Sequence, residues 1–86
     1  MLHGFGGTAM TYVKIFKKLR ESFQVHALDS FGVGHSSRGN FSEKFNYDQT
    51  RDYFADAIEE WRKKMGIEEF VLAGHSFGGY IATIYT

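Results

Sequence analysis

Ser76 stands at the centre of Gly74-His75-Ser76-Phe77-Gly78, a G-x-S-x-G pattern. The apolar run Phe70-Val71-Leu72-Ala73 precedes it, and a helix-like stretch, Gly79 to Tyr85, follows. A strand, a five-residue turn and a helix make a sharp corner, a nucleophile elbow. It holds the serine in a strained, positive-φ backbone and lifts its hydroxyl above the sheet. The helix N-terminus beneath it favours negative charge. Gly74 and Gly78 remove side chains that would collide as strand and helix pack together. The chemistry that uses such a corner is acyl transfer through an acyl-serine intermediate.

That chemistry also needs a base, an acid to orient the base, and donors for the oxyanion. The backbone N–H of Phe77, the residue after the serine, is one expected donor. A second glycine-rich turn, His3-Gly4-Phe5-Gly6-Gly7, follows the strand-like Met1-Leu2. Glycine at 4, 6 and 7 lets the backbone come close to a substrate carbonyl. Read blandly, it is a plain strand-to-helix turn or a phosphate cradle. It lacks both G-x-G-x-x-G and the P-loop lysine, which argues against a nucleotide site. None of the four histidines is assigned as the base. His75 adjoins Ser76, but neighbours on a sharp corner point apart. His26 lies within a strand, His35 in a glycine loop, and His3 in the first turn. No two have a metal-ligand spacing, so no metal is expected. Asp29 ends a strand, and its expected role is to accept hydrogen bonds from the N–H groups of the loop from Gly32 to Ser36. Arg38 has an acidic residue or a lipid phosphate as candidate partners, and surface pairing is the expected one.

The elements that must place these groups alternate. Met10 to Arg20 reads as a helix with Tyr12, Val13, Phe16 and Leu19 on one face, and Thr8 or Thr11 as its cap. Phe23 to Asp29 reads as a largely buried strand, and Phe31 to Tyr47 as a long loop. A second helix runs from about Asp48 to Lys64, capped by Asn46 or Asp48 and stopped at Gly66. Its core stripe is Phe54, Ala57, Ile58, Trp61 and Met65. Glu68 to Ala73 is the next strand, before the corner and a final helix. This alternation means βαβ units, a parallel sheet with flanking helices, and active groups at the carboxyl ends of the strands.

Composition bounds the reading. The chain has 86 residues, 43% hydrophobic and 23% charged, with ten basic and ten acidic side chains. No basic face suggests nucleic acid. With no cysteine there is neither a disulfide framework nor a cysteine zinc site. No apolar stretch reaches the ~18 residues of a membrane span, and the first residues do not form a signal peptide. The expected location is cytoplasmic or peripheral to a membrane. No cofactor is implied.

Three motifs together resemble the α/β-hydrolase fold family: His3-Gly4-Phe5-Gly6-Gly7, then Asp29 to Arg38 with Gly32, Gly34 and Ser36-Ser37, then Gly74-His75-Ser76-Phe77-Gly78-Gly79. Their wording is closest to a lipid-acting branch. That branch contains lysophospholipases acting on N-acyl phospholipids and a coactivator of triglyceride lipase in which asparagine replaces the elbow serine. Here the serine, Ser76, is present. The resemblance implies a partial α/β-hydrolase fold spanning residues 1–86, from the third strand and its oxyanion turn to the nucleophile helix. Met1-Leu2 then lies between the strands at 23–29 and 69–73. It implies Ser76 as nucleophile, the N–H groups of Phe5 and Phe77 converging above its Oγ, and Gly4, Gly6, Gly74 and Gly78 as motif glycines. His3 takes a structural hydrogen-bonding role. The acid and base lie in segments after residue 86, so the fragment alone is expected to be inactive and poorly folded. The expected substrate is a small acyl ester or lipid, with membrane or lipid-droplet contact through segments outside these residues. An acyltransferase on the same scaffold, or an inert protein lacking acid and base, remains open.

Overall fold

The computed structural model describes residues 1–30, 34, 36 and 44–86. A 3-10 helix, Ala9–Tyr12, runs into helix α1, Val13–Leu19. Thr8 caps it: the hydroxyl accepts the Met10 N–H, and Thr11 closes a capping box. Tyr12, Phe16 and Leu19 are half-buried, whereas Val13 is exposed, so the apolar face is narrower than its spacing suggests. Helix α2, Tyr47–Lys64, is capped by Asn46, which exchanges reciprocal bonds with Gln49. Gly66, at φ +68°, turns the chain away after α2. Helix α3, Phe77–Tyr85, packs on α2. None of the described helices is long and apolar enough to cross a membrane.

The expected strands are corrected here. Among the described residues, 23–29 and 69–73 form no ladder. They meet the N-terminal segment in two single-residue parallel bridges, Leu2 with Leu28 and Leu2 with Gly74. The order is as expected, with Leu2 in the middle. The Leu2 N–H donates to Ala73 O at 2.8 Å, His75 N–H to Leu2 O at 3.2 Å, and Leu28 N–H to Met1 O at 3.1 Å. The flanking segments each stand one strand spacing from Leu2, so about 10 Å from each other, too far to pair directly. An apolar hollow of about 610 Å³ lies beside this junction, lined by Met1, Val25, Leu28, Phe70 and Leu72 among others. Val71 is 82% exposed, against the expectation of a buried strand.

The core is small: Leu2, Ile58 and Ile81 are buried, with Leu28, Phe54, Phe70, Leu72 and Phe77 packed around them. Of the predicted α2 stripe, Ile58 is buried and Phe54, Ala57 and Trp61 half-buried. Met65 is exposed because it caps the helix beyond its last turn. The loop expected from Phe31, including His35 and Arg38, lies largely outside the described residues.

A polar tie that periodicity did not reveal joins α2 to the end of α3. Arg62 makes a two-pronged contact with Glu59, at 2.9 and 2.6 Å, and donates to Ile67 O at 2.7 Å. The Tyr85 hydroxyl donates to Glu59 Oε2 at 2.6 Å. Hydrogen bonds from Arg62 and then Tyr85 hold the Glu59 carboxyl down, from the ordinary 4.5 to about 2. A carboxyl with a depressed folded-state value contributes stability above its ordinary value and loses that contribution as pH falls through the folded one. The docking of Tyr85 on α2 is therefore expected to hold down to pH ~4.5 and to weaken progressively towards pH ~2. Carbon-detected NMR titration checks this. Glu59 should titrate well below the other glutamates, and Tyr85→Phe should raise its midpoint.

Candidate active site

Ser76 is the N-cap of α3, with φ 55° and ψ −119°, and is the only non-glycine among the described residues with positive φ. L-residues avoid this region because Cβ meets the backbone, at about 1–3 kcal/mol. A serine at an N-cap ordinarily turns its hydroxyl onto the helix amides. This one makes no such bond, and among the described residues its oxygen has no hydrogen-bond partner. The residue is exposed at the junction between the Gly74 bridge and α3.

Two close approaches hold this corner. A Cβ on Gly74 would land on the carbonyl of Gly78. A Cβ on Gly78 would land on the carbonyls of Leu2 and His3. The first glycine clears its own helix, as expected. The second clears the central segment instead, a neighbour that the local pattern does not reveal. Tyr12 presses on the same point, donating its hydroxyl to Leu2 O at 2.6 Å.

The turn 3–7 stands beside Ser76. A Cβ built on Gly4 would lie 3.2 Å from both Ser76 Cβ and His75 O. Gly7 N–H closes the turn onto Gly4 O at 3.0 Å, and Gly6 takes φ +78°. Phe5 projects outward, 96% exposed. Among the described residues the N–H groups of Phe5 and Phe77 donate to nothing, while Gly78 N–H, one residue on, bonds His75 O at 3.0 Å. The structure thus brings Gly4, the turn, Ser76 and the start of α3 together, and leaves unpaired the two amides singled out from sequence.

The histidines separate. His3 is 2% exposed and bonded at both ring nitrogens, to Gly4 O at 2.9 Å and Ser30 N–H at 3.1 Å. His26 packs edge-on against Trp61 at 5.3 Å. His75 is exposed beside the corner. Asp29 accepts the Ala9 N–H at 2.7 Å, tying the segment after Leu28 to the start of the 3-10 helix, a partner that sequence did not suggest. The Asp29 carboxylate also occupies the space a side chain at Gly34 would need. No group of three or more acidic, histidine or cysteine side chains among the described residues is placed to hold a metal.

An aromatic row backs the corner. Phe77 meets Phe54 edge-on at 5.4 Å and Tyr80 in a stacked pair at 6.4 Å. A hydrogen bond with Tyr47 raises the Tyr80 hydroxyl above its ordinary value. An apolar hollow of about 350 Å³ lies between α2 and the Leu28–Ser30 segment, and Ser76 lines neither it nor the larger one.

The profile of the alpha/beta hydrolase fold matches residues 1–86. A probable 1-acylglycerol-3-phosphate O-acyltransferase of Oryza sativa subsp. japonica is 42% identical over 99% of this chain and 20% of its own length. An abhydrolase domain-containing protein of Caenorhabditis elegans, abhd-5.2, is 44% identical over 99% of the chain and 19% of its own length. A human (lyso)-N-acylphosphatidylethanolamine lipase is 38% identical over the whole chain and 25% of its own length. The chain therefore spans about a fifth to a quarter of these curated relatives. No solved structure matches it.

The strain at residue 76 is directly measurable in a parent of the relatives' length. Ser76→Gly should melt higher than Ser76→Ala, by about 1 kcal/mol of stability. Relief of about 1–3 kcal/mol at positive φ is set against the ~0.5–1 kcal/mol entropic cost of glycine. Calorimetry of the two variants decides it; equal midpoints would mean the corner is relaxed.

Proposed function

The chain belongs to the alpha/beta hydrolase fold family, and on that premise we propose that it carries the nucleophile and oxyanion donors of a lipid-acting acyl-transfer enzyme. In this reading Ser76 is the nucleophile at a nucleophile elbow, and the three segments joined at Leu2 are the third, fourth and fifth strands of a parallel sheet. The N–H groups of Phe5 and Phe77 receive the oxyanion. The observation that carries the reading is the serine itself. It is strained, exposed and uncapped, and it stands beside a turn whose Phe5 amide is unpaired. A residue held at positive φ without a structural hydrogen bond suits a functional role better than a packing one.

The substrate class proposed is an acyl ester or lipid, because the relatives are named for lysophosphatidate acylation and N-acyl phospholipid cleavage. Hydrolysis releases the acyl group to water. Acyl transfer delivers it to an alcohol, and the acyltransferase names of the rice and Arabidopsis thaliana relatives favour that second course. Both use the same serine. The base and acid are assigned to segments beyond these 86 residues, because in this fold both follow the nucleophile in chain order. Contact with a membrane or lipid droplet is likewise assigned to those segments.

In the full-length parent, Ser76→Ala should abolish labelling by a fluorophosphonate and lower ester turnover by several orders of magnitude, about 10⁴-fold or more. Persistent labelling would place the nucleophile elsewhere. Residues 1–86 alone should neither melt cooperatively nor turn over a p-nitrophenyl ester. Without a base the hydroxyl stays a weak nucleophile, and a core of Leu2, Ile58 and Ile81 among the described residues supplies little burial to offset the entropy of ordering the chain.

A further inference from the structure

We propose that the outward face of α1 docks the protein on an anionic bilayer surface, with Met10 and Val13 entering it and Lys14, Lys17 and Lys18 at its headgroups. The even charge of the whole chain hides a segregation. Residues 1–20 carry four cations, Lys14, Lys17, Lys18 and Arg20, and no Asp or Glu. All four are exposed, and among the described residues none makes an ion pair. Helix α2 is built differently: Arg51 pairs with Asp48 at 3.1 Å and Arg62 with Glu59 at 2.6 Å.

Apolar side chains are exposed beside the unpaired cations. Met10 is 64% and Val13 47% exposed. They sit at the 3-10 turn, where residues three apart eclipse, so they form one apolar tip. Phe16 and Leu19 are half-buried, and Lys14, Lys17 and Lys18 lie on the opposite side of the helix. Lys17 and Lys18 follow Val13 by about 6–8 Å along the axis. An apolar tip with cations a turn behind it suits a bilayer, whose phosphates lie outside its acyl region. Lysine fits that height, because its stem follows apolar surface while its ammonium stays in water. Seven helical residues span about 10 Å, a short face for the about 800 Å² that a stable protein partner covers on each side. A nucleic acid would bond the lysines and leave Met10 and Val13 in water.

The tip stands at the level of the candidate site. Tyr12, between Met10 and Val13, donates to Leu2 O, the carbonyl that also receives His75 N–H next to Ser76. The exposed Phe5 lies in the turn that leads into this helix. Docking on this face sets Ser76 close to lipid, in addition to any contact made by segments outside these residues. That use rests on the acyl-transfer reading, whereas the docking rests on α1 alone.

Sedimentation of the full-length parent with vesicles tests the face, comparing phosphatidylcholine alone with phosphatidylcholine and phosphatidylserine at ~3:1. The parent should bind the anionic vesicles at least about tenfold more tightly, and raised salt should release it. Lys14→Gln, Lys17→Gln and Lys18→Gln together should weaken that binding about 10²-fold, at roughly fivefold per lysine. The same three changed to Arg should bind as the parent does. Met10→Ser with Val13→Ser should weaken binding to both vesicles by roughly tenfold. Turnover of a dispersed p-nitrophenyl ester should stay within about twofold in all three variants, which shows that they fold. Equal binding of the parent to both vesicles, parent-like binding by the Gln variant, or loss in the Arg variant would overturn the proposal. Fluorophosphonate labelling separates this result from the fate of the acyl-transfer reading. With Ser76 labelled and the Gln variant still bound, the docking face fails alone. With binding lost as expected and Ser76 unlabelled in the parent, the docking face stands and the nucleophile assignment fails.

Discussion

The backbone of Leu2 takes hydrogen bonds from three directions. Its N–H reaches Ala73 O at 2.8 Å, and its carbonyl receives His75 N–H at 3.2 Å and the Tyr12 hydroxyl at 2.6 Å. Through the parallel bridge to Leu28 it also sets the height of the segment that carries Asp29 and Ser30. The residues that follow it, His3 and Gly4, consequently arrive at the same level as Ser76. Gly78 must be bare because the Leu2 carbonyl occupies the space a side chain would need. The position of the 3–7 turn relative to the serine therefore follows from one residue's peptide groups.

Stability is distributed around that point unevenly. The buried apolar core amounts to Leu2, Ile58 and Ile81, and it lies between the Leu2 junction and the α2–α3 packing. The far end of the α2–α3 pair is held by charge and hydrogen bonds, through Glu59, Arg62 and Tyr85. The strained backbone at Ser76 lies between these two anchors, at the first residue before α3. A corner held from both sides can keep a conformation that would relax if either side were free. Membership of the alpha/beta hydrolase family accounts for the order of the elements, and the packing accounts for why the corner persists.

Much of this was legible in the sequence because it is local. The three helices, the Asn46 cap, the Gly66 stop and the positive φ at Ser76 each follow from a few adjacent residues. The extent of pairing was not legible. Phe23 to Asp29 and Glu68 to Ala73 have strand composition, but pairing is set by tertiary context, and among the described residues it is confined to the Leu2–Leu28 and Leu2–Gly74 bridges. The local pattern relates Gly78 to the packing of strand on helix at the corner, whereas it clears Leu2 and His3. The Asp29–Ala9 bond, the Tyr12–Leu2 bond and the Glu59–Arg62–Tyr85 tie join residues distant in sequence, and no periodicity encodes them.

The proposed acyl-transfer site joins Ser76 to the Phe5 and Phe77 amides. A crystal structure of the full-length parent inhibited by a phosphonate tests it most directly. Phosphorus should be bonded to Ser76 Oγ, with one phosphonyl oxygen about 2.7–3.1 Å from both the Phe5 and Phe77 nitrogens. A phosphonate on Ser76 whose oxygen is held by other donors, or an adduct on a different residue, would contradict it.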